Sequence, residues 1–385
     1  MTEEVELTLA AWEAMEKRNA TLVDLRDAAA RAYGMLPGAV ALSPAETDEM
    51  AEQWRDGCTV VLYCARGQIS LDKAEELRGQ GVRAFSLAEG YAGYLRAEMQ
   101  RQDILQRREK IEEGLRKTYH ERLFSKFARA VKTYQLVQPG DRIAVCIAGG
   151  KDSMLMAKLF QELQRHRKCP FELTYLVMDP GYSAINREVI EHNARLLGIP
   201  VAVFETDIFD VVYGEEKNPC YLCARMRRGH LYSRAKELGC NKIALGHHYD
   251  DVIETTLMGM LYGGQVQTMM PKLHSRNFPG MELIRPMYLI REKDIISWRD
   301  ANDLHFIQCA CRFTDTCTTC DPDGRTASKR MEIKRLIADM KKANPDVEAR
   351  IFHSMENVCL DTVIGYKEKG AYHSFLDTYD EAARS

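Results

Sequence analysis

Four groups of residues have the types and spacing to do chemistry. The first is Ala148-Gly149-Gly150-Lys151-Asp152-Ser153, set between the apolar run RIAVCI and the helix-patterned MLMAKLFQEL. Paired glycines let a backbone come close to a phosphate, and the amino end of the following helix offers unbonded N–H groups. Lys151 can add charge and Ser153 a hydroxyl bond. The spacing GxxxxGK followed by Ser or Thr is absent, so this is not a Walker loop. A tight turn between strand and helix is the plain alternative.

The second group, His247, His248, Asp250 and Asp251, follows the strand-like KIAL. A carboxylate there can bind Mg²⁺, and an imidazole can donate to phosphate or move a proton. The competing assignment is a helix N-cap by Asp250 beside two solvated histidines. Asp179, ending LVMD, reads in the same two ways: as a nucleotide contact, or as an ordinary turn residue before Pro180 and Gly181.

Cysteines form the third group. Cys220 and Cys223 make a CxxC, and Cys309, Cys311, Cys317 and Cys320 crowd together further on. Those last four could close a zinc tetrahedron by themselves. A cluster held by only three thiolates would instead leave one iron open to sulfide or substrate. A CxxC alone also suits a redox dithiol or half a zinc site. Cys146, Cys169 and Cys240 read as packing residues.

The fourth is Cys64, which ends the apolar run TVVLY and opens CARGQIS, with a helix expected from near Ser70. Loop N–H groups and a helix amino end can stabilise a thiolate or persulfide there. Most cysteines after a strand are simply core.

The elements that must position these residues follow from pattern. Residues 1–99 alternate short strand-like and helix-like pieces, a small α/β domain. Residues 100–134 read as a helical connector, with Leu105, Ile111, Leu115 and Phe124 at helical spacing. Residues 135–300 alternate strands with helices, which implies a doubly wound parallel sheet with AGGKDS, MDPGY and GHHYDD converging at strand carboxyl ends. Residues 301–385 read as mostly helical around the cysteine-rich segment.

With these motifs in place, residues 120–365 resemble the pyrophosphate-loop (PP-loop) ATPases, a HUP-like fold whose signature is SGGxDS, matched here by Gly149, Gly150, Asp152 and Ser153. NPCYLCARMRRG, IALGHHYDD, the YGG at 262–264 and IRPMYLIREKDI narrow the likeness to TtcA-type tRNA 2-thiocytidine synthases. The resemblance implies a tRNA base activated as an adenylate and its oxygen replaced by sulfur, with ATP, Mg²⁺ and a 4Fe–4S cluster. It implies Gly149, Gly150, Lys151, Asp152, Ser153, Asp179, His247 and Asp250 around the nucleotide, Asp152 and Asp251 in catalysis, and Cys220, Cys223 and Cys309 as cluster ligands. Cys309 is chosen because it ends the strand-like LHFIQ; Cys311 is its rival, and Cys317 with Cys320 would suit a separate zinc. Family members often dimerise, so a homodimer is a further expectation.

Residues 5–98 likewise resemble rhodanese, through VDLRD, LPGAVAL and the loop residues Cys64, Gly67 and Ser70. That implies a catalytic Cys64 carrying persulfide sulfur from a donor such as a cysteine desulfurase. Two positions depart from the patterns. Ala148 replaces the signature Ser, and Ile69 stands where rhodaneses have Arg, with Arg66 able to compensate in part.

Composition fits this picture. At 45% hydrophobic and 28% charged over 385 residues, the chain has material for several folded domains and is not predominantly disordered. No run approaches the ~18 apolar residues of a membrane span, and MTEEVELT is unlike a signal peptide, so a cytoplasmic location is expected. Residues 1–100 carry a net −7 and residues 101–385 a net +4. Arg225, Arg227, Arg228, Arg234 and Lys236, and on the connector Arg107, Arg108, Lys110, Arg116 and Lys117, could meet RNA phosphates, or simply form solvated faces. The leading expectation is an ATP-dependent tRNA sulfurtransferase. The alternatives are a nucleotide-binding sulfur or redox sensor, and a sulfurtransferase acting on a small molecule.

Overall fold

In the computed structural model, residues 4–31, 34–55, 57–99, 103–209, 219–307, 329–377 and 379 are described. The first domain runs β1 (Glu6–Leu7), α1 (Leu9–Ala14), β2 (Ala20–Asp24), α2 (Ala28–Arg31), β3 (Val40–Ala41), α3 (Pro44–Trp54), β4 (Thr59–Tyr63), α4 (Gln68–Gly79), β5 (Arg83–Leu87) and α5 (Gly90–Met99). Its five strands are all parallel, in the order β1-β5-β4-β2-β3. The central strand β4 alternates as a two-sided buried strand must. Val60 and Leu62 enter one core with Trp54 and Leu77, and Val61 and Tyr63 enter the other with Trp12 and Phe85. Each such side chain contributes about 1.5–3 kcal/mol by leaving water. Helix α3 starts at a capping box between Ser43 and Glu46, with Pro44 in its first turn.

The connector forms α6 (Ile104–Arg116), a π turn (His120–Phe124) and α7 (Ser125–Thr133). Ile111, Leu115 and Phe124 are buried, but Leu105 is exposed, because the helix begins only at Ile104 and its first turn lies outside the packed stripe. The second sheet follows: β6 (Arg142–Ile147), α8 (Lys151–Arg165), β7 (Glu172–Asp179), α9 (Ala184–Leu197), β8 (Val201–Glu205), α10 (Pro219–Glu237), β9 (Lys242–Ala244), α11 (Tyr249–Gly263), β10 (Lys272–His274), β11 (Glu282–Ile284) and α12 (Glu292–Ala301). The strand order is β10-β11-β9-β6-β7-β8, and only the edge strand β10 is antiparallel. The chain goes from β6 outward to β7 and β8, then returns to β9 on the other side of β6. That reversal makes the carboxyl ends of β6 and β9 the switch point, the place where open α/β sheets bind ligands.

Two compact units result. One holds residues 1–249 and 271–326, and the other holds residues 250–270 and 327–385. Within the second lie most of α11, helices α13 (Lys329–Ala343) and α14 (Val347–Ser354), and a hairpin of β12 (Gly365–Glu368) and β13 (Ala371–Ser374). The hairpin interrupts a stretch read as mostly helical. Consecutive positive φ values at Lys369 (49°) and Gly370 (90°) make the tight turn, and Tyr366 stacks on His373 across the strands at 4.9 Å. None of the described helices is long and apolar enough to cross a membrane.

Candidate active site: two loops at strand ends

The glycine loop closes between β6 and α8 as expected. Gly149 has φ +82°, and a Cβ there would come within 2.6 Å of Ile190 Cγ1 and 2.9 Å of Ile307 Cδ1, so only glycine lets the turn seat against its neighbours. Ser153 does not point away from the loop. Its hydroxyl donates to the Gly150 carbonyl (3.1 Å) and accepts from the Ala148 amide (3.2 Å), so it holds the turn shut from inside. Ala148 keeps this backbone bond although its side chain lacks the family hydroxyl.

Asp152 sits in the first turn of α8. Its Oδ2 accepts from Lys151 Nζ at 3.2 Å, while its Oδ1 is buried without a hydrogen-bond partner. An unsatisfied buried carboxylate oxygen costs about 1–3 kcal/mol or more, so it marks a place where a ligand or cation would be welcome. Lys151 is itself buried and also meets Glu292 Oε1 at 3.3 Å, at the start of α12.

The β9 end abuts this loop directly. A Cβ on Gly246 would lie 3.1 Å from the Ser153 amide, and buried His248 places Nε2 3.9 Å from Asp152 Oδ1. His247 Nδ1 faces the Nε of buried Arg285 at 3.4 Å. Glu292 and Arg285 were not singled out from sequence, although both lie in the IRPMYLIREKDI segment. Asp250 and Asp251 open α11 within the second unit, where Asp251 pairs with Arg330 at 2.8 Å. Asp179 is buried and heavily engaged. Burial alone would raise its pKa, but amides of Tyr182 (2.7 Å) and Gly181 (2.9 Å) and the guanidinium of Arg187 (2.7 Å) hold the carboxyl below its ordinary range. The two amide bonds close the turn after β7, and the Arg187 ion pair is additional to it.

At the other loop, Cys64 is 4% exposed at the end of β4. Burial works against the thiolate, yet the Ser70 hydroxyl and amide, with the amides of Arg66 and Gly67, more than offset it and hold the thiol below its ordinary value. Gly67 N donates to Sγ at 3.1 Å and Ser70 Oγ reaches it at 3.4 Å. Helix α4 begins at Gln68, two residues ahead of the expected start, so its free amide end closes over the sulfur. The loop rests on Gly90, where any Cβ would strike the Cys64 carbonyl and come 2.7 Å from the Gly67 amide. Ile69 is exposed at the rim. Cys146 and Cys240 are buried, and burial pushes the Cys146 thiol up to about 12, as suits packing residues.

Cys220 and Cys223 fall one helical turn apart at the start of α10. Cys309, Cys311, Cys317 and Cys320 lie outside the described residues. Among the described residues, no group of three or more His, Cys, Asp or Glu side chains stands ready to hold a metal. Of the basic residues, Arg227 reaches Tyr182 Oη at 3.4 Å and Arg234 pairs with Glu237. The connector's Arg107, Arg116 and Lys117 pair with Glu98, Glu112 and Glu113, and Arg108 bonds the Leu196 carbonyl. Four of the stripe's five basic residues are therefore engaged within the protein, and Lys110 is exposed.

A glycine loop at the switch point of a mostly parallel sheet, joined to a five-stranded α/β domain with a buried cysteine at a strand end, defines a PP-loop protein with an attached rhodanese-like domain. The family model described as a PP-loop domain matches residues 120–312, and that of a rhodanese-like domain matches residues 8–97. The tRNA-cytidine(32) 2-sulfurtransferase of Anaeromyxobacter dehalogenans is 36% identical over 234 residues, covering 60% of this chain and 77% of its own. Its namesake in Syntrophotalea carbinolica is 35% identical over 246 residues, covering 62% and 91%. Among solved structures, the U34-tRNA thiolase NcsA of Methanococcus maripaludis, with its 4Fe-4S cluster, aligns at 21% identity and a TM-score of 0.47, covering 60% of this chain and 76% of that one. The chain belongs to the PP-loop family and, within it, to the tRNA-cytidine(32) 2-sulfurtransferases, which makes it an ATP-dependent tRNA sulfurtransferase.

Proposed function

We propose that this enzyme replaces O2 of a tRNA cytidine with sulfur, by way of an adenylated base and a persulfide on Cys64. The observation that carries the nucleotide half is the unpartnered Asp152 Oδ1 beside a glycine loop at the switch point. ATP phosphates would lie against the amides at the start of α8, where the helix dipole favours negative charge. Attack of the cytidine O2 on the α-phosphorus releases pyrophosphate and leaves the oxygen bonded to AMP, a good leaving group. Lys151, fixed by Asp152 and Glu292, would offset charge that develops on the phosphoryl oxygens.

Mg²⁺ fits Asp152, since this ion takes one or two carboxylates and completes its shell with phosphate oxygens and water; it would neutralise phosphate charge there. A 4Fe–4S cluster suits Cys220 and Cys223, one turn apart, with Cys309 as the third thiolate, and would supply an iron open to sulfur.

On the sulfur side, a cysteine desulfurase is the class of donor that would load Cys64. Its low thiol pKa favours attack on the donor's sulfane sulfur. An exposed Ile69 in place of Arg favours a protein persulfide over a free anion such as thiosulfate. Releasing the sulfur at the level of sulfide takes two electrons, supplied as two external thiols join in a disulfide, and returns Cys64 to its starting thiol. The displaced group at carbon 2 is AMP. Anaerobic protein given ATP, Mg²⁺, a persulfide donor, a thiol and unmodified tRNA should yield 2-thiocytidine and one AMP per sulfur inserted. Nuclease digestion and mass spectrometry read the outcome, and the absence of both products would refute the proposal.

A further inference from the structure

The segment Leu304–Ile307 is buried along its whole length and runs between the two loops. At one end, Ile307 Cδ1 packs at the glycine loop, close enough to exclude any side chain at Gly149. At the other, His305 is gripped by α5. Its Nδ1 lies 2.8 Å from Tyr91 Oη, its Nε2 3.3 Å from Tyr94 Oη, and its ring meets both tyrosines edge-on. Asp303 Oδ1 stands 3.0 Å from Nε2, so a proton on Nε2 leaves Nδ1 to accept the Tyr91 hydroxyl. The His305 carbonyl accepts from buried Asn193 on α9 at 2.8 Å.

Tyr91 belongs to the persulfide loop as much as to its helix. Its amide donates to the Cys64 carbonyl at 2.9 Å, and the next amide, Ala92, donates to Ala65 at 3.1 Å. Arg26 lies over its ring at 3.6 Å and is pinned by Asp24 and the Gly34 carbonyl. Gly34 in turn leaves no room for a Cβ, which would fall 2.6 Å from Tyr91 Oη and 2.7 Å from His305 Nδ1. A single run of contacts therefore links Cys64, Tyr91, His305, Ile307 and Gly149.

We propose that His305 is a positioning residue for sulfur delivery: it fixes the helix that carries the Cys64 loop against the segment that closes onto the nucleotide loop. This rests on the persulfide relay proposed above. An ordinary interface residue would be tolerant of a ring that fills the same space. A positioning residue would not, because transfer between two centres is steep in distance.

The test compares two sulfur sources in one enzyme. His305→Phe keeps the ring but loses both nitrogens. With a persulfide donor it should thiolate tRNA at least about tenfold more slowly, while inorganic sulfide in excess, which bypasses Cys64, should support turnover within about twofold of the parent. Cys64 persulfide loading, read by intact mass, should be unchanged. An equal loss with both sulfur sources, or no loss with either, overturns the proposal. Cys64→Ser is the control on the relay: if it leaves persulfide-driven turnover intact, the relay itself is wrong, whatever His305 does. Should His305→Phe not fold, Tyr91→Phe removes one oxygen from the same contact and must show the same split; equal rates with the parent would refute the assignment. In the double variant the two losses should be less than additive.

Discussion

Asp152 Oδ1 stands 3.9 Å from His248 Nε2, too far for a hydrogen bond, and is buried with no other partner. A cation between the nucleotide and this oxygen would remove the mismatch. Asp152→Asn should therefore weaken MgATP binding at least about tenfold while changing metal-free ATP much less. Calorimetry with and without Mg²⁺ checks this, and equal losses in both would exclude a metal role for Asp152.

Cys64 should be the thiol of the rhodanese-like domain that alkylates at the lowest pH. Its midpoint should fall below that of an ordinary free cysteine, because the Ser70 hydroxyl and amide and the amides of Arg66 and Gly67 face the sulfur. Peptide mass spectrometry against pH reads it, and Ser70→Ala should move the midpoint upward. A depressed folded pKa also has a signed effect on stability. The contribution is complete above the unfolded value and is lost as pH falls through the folded one. Cys64→Ser should abolish that part of the pH dependence in denaturant melts.

Gly149→Ala combines a positive φ with a collision against Ile190 and Ile307. The left-handed conformation alone costs roughly 1–2 kcal/mol, and relieving the collision must shift the loop. Expected are a lower urea midpoint and loss of ATP binding, with Cys64 persulfide loading retained. Normal ATP affinity would mean the loop does not hold the phosphates.

Cys220→Ala and Cys223→Ala should each remove the iron chromophore from anaerobically reconstituted protein and stop thiolation, yet leave ATP binding intact. A full absorption spectrum in both variants would reject these ligands.

Much of the architecture was legible because it is local. The run from RIAVCI through AGGKDS into a helix, and from TVVLY into CARGQIS, announces strand, turn and helix within a dozen residues. The hairpin at 365–374 was missed because its strands are four residues each and its turn is Lys-Gly, weaker punctuation than Asn-Gly. Asp179 was legible as a strand end but not as a carboxylate engaged by Arg187, Gly181 and Tyr182.

By itself, the sequence determined which residue types stand at the ends of β4, β6 and β9, since a strand followed by glycine and a helix start is encoded by neighbours in the chain. Only the tertiary structure decided what those residues meet. Lys151 finds Glu292 and Tyr91 finds His305 across separations of 141 and 214 residues. No periodicity carries such pairings; they arise when burying the faces of two sheets, one parallel and one mostly parallel, brings distant segments into contact.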